Sequence, residues 1–307
     1  MSSPSAKFII NPASGRGAIR RKWPRVMETL EDTGLRFDFE FTRGPQHGTE
    51  LARDAARHGC ELVVAVGGDG TVNEVVNGLL DREGRAGADL GILRAGTAND
   101  FASSLGLPRD MGLACQCLAG TQRVEVDIGA IECSLRGRTV RRFFVNVAGA
   151  GFDAALLQAA RSRLKPFGAR LPYVGALAKT IISFHSREFN LDSEGVTQTC
   201  RALAIMVTNG RFAGTMPFHP EADLSDGQFE VMPLTLGRML RAVPPAMFKL
   251  RTSHPCAECT TSSCLTLHST QRVPVEVDGE VLGELPARFY VLPRALKVAA
   301  QHEQVSV

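Results

Sequence analysis

Four short stretches of this 307-residue chain set carboxylates among glycines, a combination suited to phosphate chemistry. The first is Gly67, Gly68, Asp69, Gly70, Thr71. Its glycines let backbone N–H groups approach an anion without a side chain in the way, and the positive end of a following helix adds to the attraction. A carboxylate inside such a cradle repels phosphate unless it holds a cation such as Mg²⁺ or takes a proton from a nucleophile. The second stretch, Gly96, Thr97, Ala98, Asn99, Asp100, Phe101, again puts an acid at the start of a helix; capping by Asn99 or Asp100 is its plainer reading. In the third, Asp223, Leu224, Ser225, Asp226, Gly227, two acids three residues apart either share one hard cation or make an ordinary Asp-Gly turn. The fourth, Val277, Asp278, Gly279, Glu280, is a hairpin turn that needs no catalysis to explain it.

The elements that must position these residues follow from periodicity. Leu62 to Val66 is a continuous apolar run, read as a buried parallel strand, and Thr71 is placed to cap a helix carrying Val72, Val75, Val76 and Leu79. Earlier, the strand Phe8 to Ile10 runs into the loop Asn11 to Gly17, and Ile19, Trp23, Val26, Met27 and Leu30 form one face of a helix ending at Gly34. Arg16, Arg20, Arg21, Lys22 and Arg25 all precede the first acid, Glu28. Alone they make a solvated basic face; beside a glycine turn they suit phosphate. A strand at Phe37 to Phe41, a polar loop from Thr42, a helix with Leu51, Ala52, Ala55 and Ala56, and a strand at Leu90 to Leu93 continue the alternation. Such alternation predicts a parallel sheet with ligands at the carboxyl ends of its strands.

A helix from Asp110 to Leu118 closes a first domain of residues 1–122. Beyond it, Val124 to Ile128, Thr139 to Val147, Ala202 to Thr208, Gln228 to Met232, Ser263 to His268, Val273 to Val277 and Arg288 to Leu292 read as strands between turn residues, which predicts an antiparallel sandwich or barrel over residues 123–293. A net charge of +3 gives no reason to expect nucleic acid. Without a long apolar run or a signal peptide the chain reads as soluble and cytoplasmic, and its eight cysteines as reduced. Cys256, Cys259 and Cys264, near His254 and His268, match no compact zinc finger.

The run GGDGT followed by NEVVNGL resembles the nucleotide-binding signature of the diacylglycerol kinase catalytic family, which includes sphingosine, ceramide and bacterial lipid kinases. The pentapeptide alone is shared with NAD kinases. NPASG (Asn11 to Gly15) resembles the family's first nucleotide loop, GTANDFA its second signature, and PVEVDGE its third. The resemblance implies an α/β plus β protein: a Rossmann-like nucleotide-binding domain, an antiparallel β-sandwich lipid domain, and a segment 294–307 that returns to the first. It implies an ATP-dependent, Mg²⁺-requiring lipid kinase that transfers the γ-phosphate to the hydroxyl of a lipid such as diacylglycerol in the cleft between the domains. Nucleotide contacts would come from Asn11, Ser14, Gly15, Arg16, Thr42, Gly67, Gly68, Asp69, Gly70, Thr71, Glu74, Gly96, Thr97, Asn99 and Asp100. Asp278 would accept the hydroxyl proton, with Asp69 and Glu280 as further catalytic acids. Mg²⁺ would be held by Asp69, Asp100 and Glu280, and a structural ion by Asp223 and Asp226. The chain departs from the pattern at Ala213 and Thr215, where glycines are usual, and at Ser225, where an acid is common.

Two other functions fit parts of the sequence. A NAD kinase relative would take a soluble dinucleotide and gives no reason for GTAND; a nucleotide sensor would keep the site without turnover. A lipid acceptor demands peripheral contact with a membrane. The segments Arg161 to Tyr173 and Arg238 to Arg251 mix basic and apolar residues suitably, although packed helices or a homodimer contact explain them equally well.

Overall fold

The computed structural model describes residues 6–151, 186–213, 216–217, 219–235 and 260–300. Both segments proposed for membrane contact, together with His254, Cys256 and Cys259, lie outside the described residues.

Strands β1 (Ala6–Ile10), β2 (Phe37–Phe41), β3 (Leu62–Gly67) and β4 (Asp89–Arg94) form a parallel sheet in the order β4-β3-β1-β2. All six residues of β3 are buried, as befits a strand covered on both faces. Alternation along the strands sorts the helices. Phe8, Ile10, Val64 and Val66 face α1 (Ala18–Asp32) and α5 (Met111–Ala119), while Ile9, Val63 and Ala65 face α2 (His47–Arg57) and α3 (Asp69–Leu79). The short α4 (Asp100–Ser104) follows β4.

The second lobe contains β5 (Arg123–Leu135), β6 (Arg138–Phe144), β7 (Val147–Ala150), β8 (Arg187–Ser193), β9 (Val196–Ala202), β10 (Ala204–Thr208), β11 (Phe212–Ala213), β12 (Met216–Pro217), β13 (Phe229–Leu234), β14 (Thr260–Ser262), β15 (Cys264–His268), β16 (Pro274–Val277) and β17 (Glu280–Ala299). One row runs β14-β13-β10-β7-β16; β9-β8-β15 and β5-β6 make another, and β17 joins the two. Their inner faces share an apolar core containing Phe144, Phe189, Phe229 and Phe289. Strand β17 is also the bridge between lobes: its start pairs with β16, and its end lies parallel to β4 at Val298↔Leu90.

Several elements differ from the sequence reading for local reasons. The expected strand Thr139 to Val147 is divided, because the backbone N–H groups of Val145, Asn146 and Val147 turn to the Asp278 carboxylate instead of a neighbouring strand. The strand expected at Val124 to Ile128 runs on to Leu135 through Gly129, where a Cβ would stand 2.3 Å from the Phe144 ring; glycine leaves room for that ring. β8 and β9 escaped notice because only alternate residues such as Phe189 and Leu191 are buried in a mostly polar pair. Helix α3 begins at Asp69, with Gly68 as its N-cap and no side-chain cap, so Thr71 is not the cap.

Candidate active site

The first phosphate-facing element is the junction of β3 and α3. Asp69 and Gly70 occupy the first turn of α3, and the N-cap offers no side chain to their N–H groups. A helix start with unpaired N–H groups and a positive dipole attracts an anion. Gly70 has nothing within 4 Å of where a Cβ would sit, so packing does not require glycine there. An exposed glycine in a helical turn costs about 1 kcal/mol relative to alanine, and close approach by a ligand is the remaining physical reason for it.

The neighbouring loops are fitted by backbone. A Cβ on Gly96 would stand 2.3 Å from the Gly68 Cα, so the two glycine turns touch directly. Asn99 accepts from the Gly96 N–H through Oδ1 and donates to its carbonyl through Nδ2, closing the second turn on itself at 3.1 and 2.9 Å. Asn11 holds the first loop: its Oδ1 accepts from Ala13 N, and its Nδ2 donates to Thr71 Oγ1. Gly15, Arg16 and Gly17 follow with φ of 58, 58 and 79°, wrapping the chain at the carboxyl end of β1. Ser14 is buried within this turn, while Arg16, Arg20, Arg21, Lys22 and Arg25 are exposed. Thr42 stands at the end of β2, donating its N–H to Ile10 O. Asp100 is buried at the start of α4, and Thr97 is exposed in the turn before it.

At the seam between lobes the candidate acids meet. Asp69 Oδ1 accepts from Phe101 N at 3.2 Å and Asn146 Nδ2 at 3.4 Å. Its other oxygen accepts no hydrogen bond from a described residue, so a hard donor atom stands open. The backbone N–H of the same Asn146 donates to Asp278 Oδ1. One residue therefore links the acid of the nucleotide lobe to the acid of the hairpin. Asp278, at φ 44° in the two-residue turn with Gly279, accepts from Asn73 Nδ2 (2.7 Å), Val145 N (3.0 Å), Asn146 N (3.1 Å) and Val147 N (3.0 Å). Burial pushes its carboxyl up to about 6, outweighing the hydrogen bonds that lower it. Four donors fill the lone-pair positions of a carboxylate. Asp278 thus serves first as the fulcrum of the β6–β7 bend. Glu280, two residues on, is exposed at the start of β17.

Other candidates lie elsewhere. Glu74 is engaged by a neighbouring helix: its carboxylate accepts from Gln46 N and Gly48 N at 3.0 and 2.9 Å, capping the start of α2. Asp223 and Asp226 are exposed, and each closes its own turn, on Ser225 and Gln228 respectively. Among the described residues no group of three or more His, Cys, Asp or Glu is placed to hold a metal. Their loop is anchored instead by fully buried Asp127, which accepts from Gly227 N and Arg294 N. Burial, reinforced by the charges of Asp226 and Asp223, raises the Asp127 carboxyl above its usual range. A cavity of about 970 Å³ beside Glu61, Asp89, Arg123 and Arg294 lies at the opposite end of β3 and β4 and contains none of these site residues.

Sequence reading gave no individual role to Asn73, Asn77, Asp127 or Asn146, although Asn73 and Asn77 lie in the NEVVNGL run. Their shared signal is an amide or acid interrupting an apolar run, as Asn146 does in Phe143, Phe144, Val145, Asn146, Val147, Ala148. A buried polar group must find partners, so each such position marks a junction.

A parallel α/β lobe with glycine turns at its strand ends, joined by one strand to an antiparallel sandwich, defines a kinase fold of the NAD kinase and diacylglycerol kinase type. Residues 5–131 match the diacylglycerol kinase catalytic domain, and residues 146–300 match the YegS C-terminal NAD kinase beta sandwich-like domain. A diacylglycerol kinase of Bacillus subtilis is 29% identical over 305 residues, covering 97% of each chain. One of Staphylococcus haemolyticus is 30% identical over 303 residues, covering 95% of this chain and 87% of that one. The crystal structure of a diacylglycerol kinase from Bacillus anthracis superposes with a TM-score of 0.76 at 20% identity over 99% of both chains. Yeast NADH kinase does so at 0.56 and 10% identity, over 100% of this chain and 86% of that one, which shows the shared fold. The chain belongs to the diacylglycerol kinase catalytic family and is a lipid kinase.

Proposed function

We propose that the enzyme transfers the γ-phosphate of ATP to the hydroxyl of a lipid such as diacylglycerol, with Mg²⁺, at the seam between its lobes. The observation that carries this reading is Asn146, which ties Asp69 at the phosphate turn to Asp278 on the opposite lobe. Phosphates would lie over the first turn of α3, against Gly67 to Thr71, Gly96 and the Asn11 to Arg16 loop. Mg²⁺ in kinases takes one or two carboxylates together with phosphate oxygens, and the open oxygen of Asp69 and the carboxylate of Asp100 fit that demand. When bound, the ion would neutralise charge developing on the phosphoryl group.

The acceptor hydroxyl must lose its proton as the new bond forms. With Asp278 committed to four donors, its ionised form holds the hairpin in place, and Glu280 is the carboxylate beside it with room to take a proton. Asp278 keeps the same hairpin anchored throughout. The lipid would be met at a membrane surface by peripheral contact; no helix among the described residues is long and apolar enough to cross a membrane. Incubation with γ-labelled ATP, Mg²⁺, NAD and a mixed lipid extract tests the proposal. A labelled phospholipid is expected; label appearing solely in NAD would reassign the acceptor, and no label in any product would leave a nucleotide-binding protein without turnover.

A further inference from the structure

We propose that Asn73 is a positioning residue of this reaction: it fixes the hairpin acid Asp278 to the nucleotide lobe, so that helix α3 sets the geometry of both sides of the transfer. This rests on the kinase reading above. Asn73 lies four residues after Asp69, so the two occupy one face of α3, about 6 Å apart along the axis. That face meets the second lobe. Asn73 is buried, and its Nδ2 donates to Asp278 Oδ2 at 2.7 Å and to Phe143 O at 3.1 Å. The three backbone donors to Asp278 belong to its own lobe, at Val145 to Val147, whereas Asn73 reaches it from the nucleotide lobe.

The amide is itself held. Asn77, one turn further along, donates to Asn73 Oδ1 at 3.2 Å and to Phe143 O at 3.0 Å, and accepts from Phe143 N at 3.0 Å. Pairing with both the N–H and the carbonyl of Phe143 lets Asn77 stand where a neighbouring strand would. The Asn73 rotamer is therefore fixed from the strand whose end Asp278 pins. Removing the Asn73 amide takes away this tie between the hairpin acid and the nucleotide lobe, while the three backbone donors at Val145 to Val147 stay. A carboxylate in its place would set two acids against each other across the seam.

The test is steady-state transfer by the full chain and by Asn73→Ala, Asn73→Asp and Asn77→Ala, with kcat, nucleotide KM and Tm measured separately. Per folded molecule kcat should fall about tenfold or more in Asn73→Ala and further in Asn73→Asp, with nucleotide KM changed less than twofold. Asn77→Ala keeps the donor but loses its support, and should lower kcat less than Asn73→Ala. An unchanged kcat in both Asn73 variants, or a change confined to nucleotide KM, would overturn the proposal. If neither Asn73 variant folds, Asn77→Ala decides: a wild-type kcat refutes the role. A wild-type chain without lipid turnover would instead sink the kinase reading. In that case the backbone amide resonances of Val145 to Val147, the other donors to Asp278, would still decide the Asn73 contact; unshifted positions in Asn73→Ala refute it.

Discussion

Replacing Gly96 with alanine should separate the two phosphate turns. The added Cβ would stand 2.3 Å from the Gly68 Cα and 3.0 Å from the Gly68 N, and ordinary contact begins at 3.4 Å. The backbones must therefore part by about 1 Å, since neither neighbour is a side chain that can rotate away. Overpacking of this kind costs about 1–3 kcal/mol. For a protein of this size that lowers Tm by roughly 2–12 °C, taking about 2–4 °C per kcal/mol. The catalytic loss should be larger. A displacement of about 1 Å in a positioning element reduces transfer on the order of 10²-fold. The assay is steady-state transfer from labelled ATP to vesicle lipid, paired with calorimetric unfolding. Gly70→Ala is the matched comparison, because its Cβ meets no protein atom within 4 Å. It should leave Tm unchanged or slightly raised, and weaken nucleotide binding by crowding the anion. Full activity in Gly96→Ala, or an equal fall of Tm in both variants, would refute the packing argument.

Asp69→Asn should fold normally and lose transfer on the order of 10²-fold or more, since the open carboxylate oxygen is gone; wild-type turnover at saturating Mg²⁺ would exclude the role. Glu74→Gln should destabilise the fold by about 1 kcal/mol through loss of the carboxylate cap on α2, seen as a lower Tm, while kcat per folded molecule stays within twofold; a selective loss of nucleotide affinity would restore Glu74 to the site. The wild-type kcat should fall as pH drops through about 6, where Asp278 takes up a proton and loses acceptor capacity toward Asn73 and the Val145 to Val147 bend. Because that carboxyl titrates higher in the folded chain than the unfolded value near 4, the native state binds the extra proton, and this group's contribution to stability declines as pH rises from about 4 to 6. An acid limb below pH 5 would show that ionised Asp278 is not required.

The α/β lobe and its glycine turns were legible in the sequence because they are local. A buried parallel strand is a continuous apolar run, an amphipathic helix repeats every three to four residues, and a phosphate turn needs glycines adjacent in the chain. Asp69, Asp100 and Asp278 stood out for the same reason. What tertiary structure decided was the use of each acid. Nothing near Glu74 in sequence says that its carboxylate will reach the start of another helix at Gln46 and Gly48. Asp278 reads as a hairpin residue until Val145, Asn146 and Val147 bring it three N–H groups from more than 130 residues away. The roles of the seam asparagines were not legible because an amide has no periodicity to announce its partners. Its partners are backbone groups of distant strands, and those are set only when the two lobes pack and every buried polar atom must be paired.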